Sequence, residues 1–144
     1  MAEILHKLEI RASREDVYRA LSTQQGLASW WTRTTKAEPK VGSIAEFQFG
    51  GGKFVSKMQI VTLDPGVRVA WKCVEGASEW IGTEITFDLA EESGQTAVRF
   101  RHRGWSEASD FLAHCSYRWA YFLRSLKLYL QEGKGNPHPD DTAA

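Results

Sequence analysis

The sequence predicts an α+β domain in which a curved antiparallel sheet of about six to seven strands wraps around a long C-terminal helix. Two observations carry this prediction. Runs of alternating residues are separated by short turn signals, and short connections make neighbouring strands antiparallel. After the last run, apolar residues recur every three or four positions from Glu107 to Gln131, which is typical of a helix with one apolar face.

The chain of 144 residues fits a single domain, which we place at residues 1–134, followed by a polar tail at 135–144 that we expect to be frayed. Lys plus Arg number 18, as do Asp plus Glu, so the balanced charge disfavours a nucleic-acid partner. No stretch resembles a signal peptide or approaches membrane-spanning length. We therefore expect a soluble, cytoplasmic protein without membrane insertion. Its oligomeric state stays open, a homodimer included.

The first elements are a strand and two short helices. Alternation from Glu3 to Arg11 predicts the strand, with a mostly apolar face. Ser13 follows as the N-cap of a helix that carries acidic residues in its first turn. A second short helix is predicted over Thr23–Trp31, after which Pro39 and Gly42 indicate a loop.

A meander of strands follows, each separated from the next by Gly, Pro, Asp or Ser residues that favour turns. The predicted strands are Ser43–Gly50, Phe54–Leu63, Val67–Val74, Trp80–Leu89 and Thr96–Arg103. If Ser93 and Gly94 centre the last turn, the register of that hairpin is determined. Its predicted pairs are Glu84 with Arg103, Asp88 with Arg99, Phe87 with Phe100, and Ile85 with His102.

The last strand has two contrasting faces, because alternate side chains leave a strand in opposite directions. Its apolar face carries Val98, Phe100 and His102, and its cationic face carries Arg99, Arg101 and Arg103. Acidic residues opposite the arginines indicate a solvated outer face rather than a phosphate site. His102 on the apolar face is either a group that orients a ligand or a satisfied core histidine, and general burial habits favour the latter.

Catalytic and metal sites have no clear signature in the sequence. Cys73 and Cys115 are the 2 cysteines, and neither belongs to a closely spaced pair, so both are interpreted as reduced packing residues. The 4 histidines show no metal-ligand spacing. Neither a nucleophile with a base in reach nor a pair of inward acids is visible. We predict no catalytic residue, cofactor or metal, and whether the protein is an enzyme stays open.

Strand parity and helix periodicity turn many large aromatic and apolar side chains towards the space between sheet and helix. A ligand cavity has such walls with few polar tips, although a filled core is the alternative for each residue taken singly. The candidate ligand-binding residues are Trp30, Trp31, Phe47, Phe49, Met58, Trp71, Ile85, Phe87, Phe100, His102, Trp119 and Phe122.

Four further expectations concern the rim of this cavity. Parity also turns Phe54 inward, and it turns Trp80 outward unless a bulge at Gly82 reverses it. Of the adjacent Trp30 and Trp31, one should pack in the core while the other lies near the cavity mouth. The glycines at 50–52 form either a plain hairpin tip or a mobile lid.

The order of these elements and several local motifs resemble the START-like superfamily, also called helix-grip or SRPBCC proteins. Within it, the chain is most similar to the branch named after the activator of Hsp90 ATPase. The resemblance covers nearly the whole chain. It is carried by Trp30-Trp31 at the end of the second helix, Val41-Gly42 before the strand with Phe47, Asp64-Pro65 at the hairpin before Trp71, Trp80-Ile81-Gly82-Thr83, the run Phe100–Trp105, and the run Leu126–Gly133.

The resemblance implies a helix-grip fold with an apolar cavity between the sheet and the long helix, and it implies no common catalytic set. We expect a protein that binds a small hydrophobic or aromatic ligand there, with His102 hydrogen-bonded to the ligand's polar end. One alternative is an enzyme of the cyclase, dehydratase or hydrolase type that acts on such a ligand. The other is a co-chaperone-like module that associates with Hsp90.

Overall fold

A computed structural model describes residues 1–143 and confirms the predicted α+β class. Within these residues, the elements are β1 Ala2–Ile10, α1 Arg14–Ser22, α2 Gln24–Trp30, β2 Thr35–Lys36, β3 Ile44–Phe49, β4 Phe54–Asp64, β5 Arg68–Glu75, β6 Glu84–Glu92, β7 Gln95–Trp105, α3 Asp110–Glu132 and a 3₁₀ helix at Asp140–Ala143. The strands form one antiparallel sheet in the order β1-β7-β6-β5-β4-β3-β2. The long helix α3 packs against β1, α1 and α2.

Each of the three α-helices among residues 1–143 is preceded by a residue whose hydroxyl side chain satisfies a free backbone N–H group. The predicted cap Ser13 accepts a hydrogen bond from the Asp16 backbone N–H. Thr23 ends α1 and caps α2. Ser109 caps α3, which begins at Asp110, three positions after the predicted start at Glu107. Gly133 ends α3 with a φ of 83°, the left-handed conformation that glycine adopts without strain.

The β6–β7 hairpin has the predicted register, including the pairs of Phe87 with Phe100 and Ile85 with His102. Its turn places both Ser93 and Gly94 at positive φ, at 53° and 77°, which suits the right-handed twist of a two-residue hairpin. The arginines of β7 lie on the outer face and pair with acids there. These outer ion pairs are Arg99 with Glu92, Arg101 with Glu3, and Arg103 with Glu84.

The segment before β6 differs from the prediction. The strand expected to begin at Trp80 begins at Glu84, and residues 76–83 form a loop instead. Within this loop the Trp80 backbone N–H donates to the Ala77 carbonyl at 2.8 Å, and Gly82 has a φ of 87°. Because a loop has no strand alternation, parity could not predict the direction of Trp80. The two-residue strand β2 was not predicted either.

The tail expected to be frayed is folded back onto the domain. We call residues 135–143 the C-terminal strap. The His138 backbone N–H donates to the Trp31 carbonyl at 2.8 Å, and the Arg33 N–H donates to the His138 carbonyl at 3.0 Å. Asp140 pairs with Arg33, and Asp141 pairs with Arg118. These long-range bonds satisfy the polar groups that would otherwise keep the segment in solvent.

Among residues 1–143, none of the helices combines the length and the hydropathy that crossing a membrane requires.

Candidate ligand-binding cleft

Most of the residues predicted to line a cavity form a filled core. They are at most 1% exposed and line neither of the two cavities described below. These residues are Trp30, Phe47, Met58, Trp71, Ile85, Phe87, Phe100 and His102. Their rings pack edge to face, as in Trp71 against Phe87 at 5.1 Å and Phe87 against Phe100 at 5.3 Å between centroids. The filled-core alternative therefore describes this part of the interior.

His102 lies in a closed hydrogen-bond network. The Trp119 indole N–H donates to its Nδ1 at 3.2 Å, so Nδ1 carries no proton. Nε2 therefore carries the proton and donates to Thr83 Oγ1 at 2.8 Å, and this hydroxyl donates to the Trp80 carbonyl at 2.5 Å. Burial lowers the pKa of His102 to about 3, so the ring is neutral at physiological pH.

This network bears on the two alternatives for His102. Both ring nitrogens already have protein partners, and the side chain is fully buried. A ligand could bond to the ring only by breaking one of these hydrogen bonds in a desolvated place, which is unfavourable. The structure therefore favours the satisfied core histidine over a group that orients a ligand.

An open cavity lies beyond the filled core, between the tip of the β3–β4 hairpin, the loop 76–83 and the first half of α3. We call it the outer cleft. Its volume is about 970 Å³. Phe49, Phe54, Trp80 and Phe111 provide its aromatic wall. Phe54, which parity turned inward, is 69% exposed because α3 does not cover this end of the sheet.

A smaller cavity of about 260 Å³, which we call the inner chamber, adjoins the outer cleft. The two cavities share Phe49, Trp80, Cys115 and Arg118. Four of the predicted site residues line the inner chamber, namely Trp31, Phe49, Trp119 and Phe122. The structure thus brings these four together at a cavity and leaves the other predicted residues in the core.

The adjacent tryptophans of α2 have different surroundings. Trp30 is fully buried, and its indole N–H donates to the Ala20 carbonyl at 2.8 Å. Trp31 is the C-cap residue that follows the helix, and it faces the inner chamber, where its ring lies 5.1 Å from that of Trp119.

Trp80 points into the domain, contrary to the strict parity of a strand. Its ring stacks on Trp119, with centroids 6.0 Å apart and an interplanar angle of 11°. It also meets the His102 ring edge-on at 4.8 Å. The sequence offered one signal for this direction, namely Gly82, which is at positive φ and allows the chain to turn.

A polar cluster lies at one side of the inner chamber and includes two residues of the C-terminal strap. Arg118 pairs with Asp141, and Asp141 also accepts a hydrogen bond from His138 Nδ1 at 2.7 Å. His138 Nε2 accepts from the Gly50 backbone N–H at 2.8 Å, so the strap is tied to the hairpin tip. The Arg118 guanidinium also lies over the Tyr121 ring, 4.9 Å from its centroid.

Sequence reasoning did not identify Trp80, Arg118, Cys115 or the two strap residues. For Arg118 a signal existed, because it lies three residues after Cys115 and four before Phe122, on the edge of the apolar stripe of α3. A charge at that position indicates a partner or a cavity. For His138 and Asp141, no local pattern predicts contacts with residues so far away in the chain.

The cysteines have the properties of packing residues. Burial raises the pKa of the Cys115 thiol, outweighing the nearby Trp80 indole N–H, which favours the thiolate but forms no hydrogen bond of regular geometry. Burial raises the pKa of Cys73 to about 11. Neither thiol is therefore an activated nucleophile at neutral pH. Among the described residues, no three His, Cys, Asp or Glu side chains come together as metal ligands would.

Comparison with known proteins identifies the family. A family model described as "Activator of Hsp90 ATPase homolog 1-like protein" matches residues 11–131. The chain belongs to this family. Family members share the START-like, helix-grip fold, so the resemblance stated from the sequence is confirmed. No curated protein matches the chain.

Solved structures show the same fold. The chain is similar to the Aha1 dimer from Colwellia psychrerythraea, with 43% identity, a TM-score of 0.85, and coverage of 94% of this chain and 100% of that one. Protein SSP2350 from Staphylococcus saprophyticus is 18% identical, with a TM-score of 0.78 and coverage of 93% and 95%. DynU16, a putative protein in the dynemicin biosynthetic locus, is 16% identical, with a TM-score of 0.81 and coverage of 92% and 48%. At such low identities, the last two similarities concern the fold alone.

Proposed function

We propose that this protein binds a small hydrophobic or aromatic molecule in the outer cleft and the inner chamber. The observation that carries this proposal is a pair of adjoining cavities, of about 970 Å³ and 260 Å³, which share four lining residues at the open end of the sheet–helix interior. Ligand sites in proteins commonly have volumes of about 300–1,000 Å³, with mostly apolar walls and a few polar groups.

The aromatic residues at the cleft support this proposal further. Phe54 is largely exposed and lines the cleft together with Phe49 and Trp80, so the cleft presents aromatic surface to water. Exposed aromatic surface of this kind typically marks a binding site, because covering it with an apolar ligand releases the water from it. The charged residues Lys57 and Glu75 pair with each other at 3.0 Å on the cleft wall.

Titration with the neutral fluorescent probe N-phenyl-1-naphthylamine tests the proposal. We expect saturable binding with one probe per chain, and about tenfold weaker binding by Trp80→Ala, because this ring contributes to both cavities. Ile81→Ala is the matched control, since Ile81 is the next residue, is exposed and lines neither cavity.

A second pair of variants separates the cleft from the rest of the surface. Ala77 lines the outer cleft from an exposed loop position, so Ala77→Trp should fill the cleft and abolish binding while leaving the fold intact. Its exposed neighbour Ser78 does not line the cleft, and Ser78→Trp serves as the control. Absence of saturable binding to the wild type would contradict the proposal. So would an affinity that is the same in the wild type, in Trp80→Ala and in Ala77→Trp.

A second candidate function is association with Hsp90. It is supported by the family match and by the 43% identity to a protein named Aha1 over 94% of this chain. Pull-down with purified Hsp90 and measurement of its ATPase rate test it, and a chain that neither binds nor changes the rate would contradict it. The same similarity, to a protein described as a dimer, supports a homodimer. Light scattering coupled to size-exclusion chromatography measures that mass directly.

A further inference from the structure

Arg118 lies where the outer cleft meets the inner chamber and lines both. Most of its side chain is buried, with 28% exposed, among aromatic residues that provide no counter-charge. Its guanidinium lies over the Tyr121 and Phe122 rings, 4.9 Å and 5.3 Å from their centroids, which hold the group in place. An anion nearby stabilises a cation so placed, because burial has removed most of the water that would otherwise solvate its charge.

The anion that Arg118 has in this structure comes from the C-terminal strap. The Asp141 carboxylate is only 9% exposed and pairs with Arg118 at the chamber wall. The strap reaches this position from outside the helix-grip core, through backbone bonds to Trp31 and Arg33. Asp141 therefore occupies the position that the charged end of a bound molecule would take if it entered the chamber.

The remaining charges of the outer cleft leave room for such an anion. The cations Lys53, Lys57 and Arg118 line it together with the anions Glu46 and Glu75. Lys57 and Glu75 pair with each other, and Glu46 accepts a hydrogen bond from Gln48. His138 bonds through its Nδ1–H to Oδ1 of Asp141, whereas Arg118 bonds to Oδ2. Without Asp141, the positive charge of Arg118 has no carboxylate partner among the described residues that line the two cavities.

We propose, building on the ligand-binding function above, that the ligand carries an oxyanion at one end and that Arg118 binds this group in place of Asp141. The ligand class is an aromatic or apolar molecule with a carboxylate or a similar acidic group. Arginine suits this role because its planar fork donates two parallel hydrogen bonds to such a group. The C-terminal strap is then a built-in competitor, which leaves the Arg118 guanidinium when the ligand enters.

Two probes that share one ring system test the proposal. 8-Anilino-1-naphthalenesulfonate has the rings of N-phenyl-1-naphthylamine plus a sulfonate, so the ratio of their affinities isolates the contribution of the anionic group. We expect Arg118→Gln to lower the affinity for the sulfonate relative to the neutral probe about tenfold. Asp141→Asn, which removes the competing charge at equal size, should raise the same ratio several-fold. Arg118→Lys keeps the charge without the fork and should give an intermediate ratio.

Controls come from the outer sheet face. Arg103 and Glu84 form an ion pair outside either cavity. Arg103→Gln removes one positive charge and Glu84→Gln removes one negative charge, as the test variants do, and both should leave the ratio of affinities at its wild-type value. A second measurement follows the strap itself. Hydrogen exchange of the His138 amide, which bonds to the Trp31 carbonyl, should accelerate when the sulfonate probe saturates the protein and not when the neutral probe does.

The outcomes are distinct. If Arg118→Gln and Asp141→Asn leave the ratio of the two affinities unchanged while the neutral probe still binds in the cleft, the oxyanion site is wrong and the proposed function stands. The oxyanion site is also wrong if the controls change the ratio as much as these variants do. If neither probe binds the wild type, the proposed function itself fails, and the oxyanion site fails with it. Thermal unfolding of each variant shows that it is folded.

Discussion

The interior of this protein has a closed part and an open part that use the same residue types in different ways. Trp30 belongs to the closed part, where it is fully buried and its indole N–H bonds to the Ala20 carbonyl. Trp80 belongs to the open part, where it lines two cavities and its indole N–H has no hydrogen-bond partner of regular geometry among the described residues. The helices cover the sheet around Trp30, whereas the hairpin tip and a loop frame the space beside Trp80. Whether an aromatic residue is core or cavity wall thus depends on where the covering elements end.

The largest expected effect is on the free energy of unfolding, in variants that truncate each of these two tryptophans. Trp30→Ala should lower the free energy of unfolding by about 3–5 kcal/mol, because it opens a void in a filled core and leaves the Ala20 carbonyl without its donor. Trp80→Ala should lower it by about 1–2 kcal/mol, since this side chain already borders open space. Urea unfolding measures both values. Equal losses would mean that the open part is as tightly packed as the closed part.

The next effect concerns His102, which lies between the two parts. Its pKa in the folded protein is lowered to about 3, so the unfolded chain binds the proton first as the pH falls. The stability that this neutral ring contributes is complete above a pH of about 6.5, the unfolded pKa, and is lost as the pH falls towards the folded value. Between about pH 7 and pH 5, this residue alone should lower the stability of the wild type by about 2 kcal/mol.

The variant His102→Gln isolates this contribution. Every other ionisable group is common to the two proteins, so the difference between the two stability curves belongs to His102. We expect the wild type to lose about 2 kcal/mol more than the variant over this interval. Parallel curves, measured by urea unfolding at several pH values, would show that the folded protein binds the proton as readily as the unfolded chain, and would contradict the closed network with Thr83 and Trp119.

A smaller effect tests whether the C-terminal strap is docked on α2 and α3 beside the open part. A Cβ atom at Gly135 would lie 2.6 Å from the Ser29 carbonyl oxygen and 2.9 Å from the Ser125 carbonyl oxygen, so Gly135→Ala forces the strap away from α2 and α3. We expect a loss of stability of about 1–2 kcal/mol. We also expect faster exchange of the His138 amide. Lys134→Ala, at the exposed neighbouring position, is the control, and identical exchange in the two variants would contradict the docking of the strap.

The smallest effect belongs to the outer sheet face. Arg101→Gln removes an ion pair with Glu3 whose side chains are both substantially exposed, and solvent screens such pairs. The free energy of unfolding should change by less than about 0.5 kcal/mol. Binding of either probe should not change, because this face contributes to neither cavity. A large loss of affinity would show that the probes bind at the outer face and not in the open part of the interior.

Several elements could be predicted from the sequence because their causes are local. Ser13 caps α1 with a hydroxyl that lies next to the helix it begins, and the Ser93-Gly94 turn sets the register of its hairpin through adjacent backbone angles. The direction of Trp80 and the exposure of Phe54 could not be predicted in this way. The first depends on a loop that interrupts the strand pattern, and the second depends on where α3 stops covering the sheet.

The candidate site was predicted only in part for the same reason. Aromatic residues at alternating positions indicate the inner face of a sheet, and Trp31, Phe49, Trp119 and Phe122 do reach a cavity. The pattern cannot tell whether neighbouring rings fill the space. Packing is decided by volumes and contacts summed over many elements, and those contacts filled the interior around Phe87 and Phe100.

By itself, the sequence determined the family, the α+β class, the helix caps and the register of the last hairpin, because periodicity and turn chemistry act over a few residues. Only the tertiary structure decided that His102 is satisfied, that Trp80 faces inward, and that the strap brings Asp141 to Arg118. Each of these depends on groups far apart in the chain, whose meeting is determined by how the sheet and helices pack and not by any local pattern.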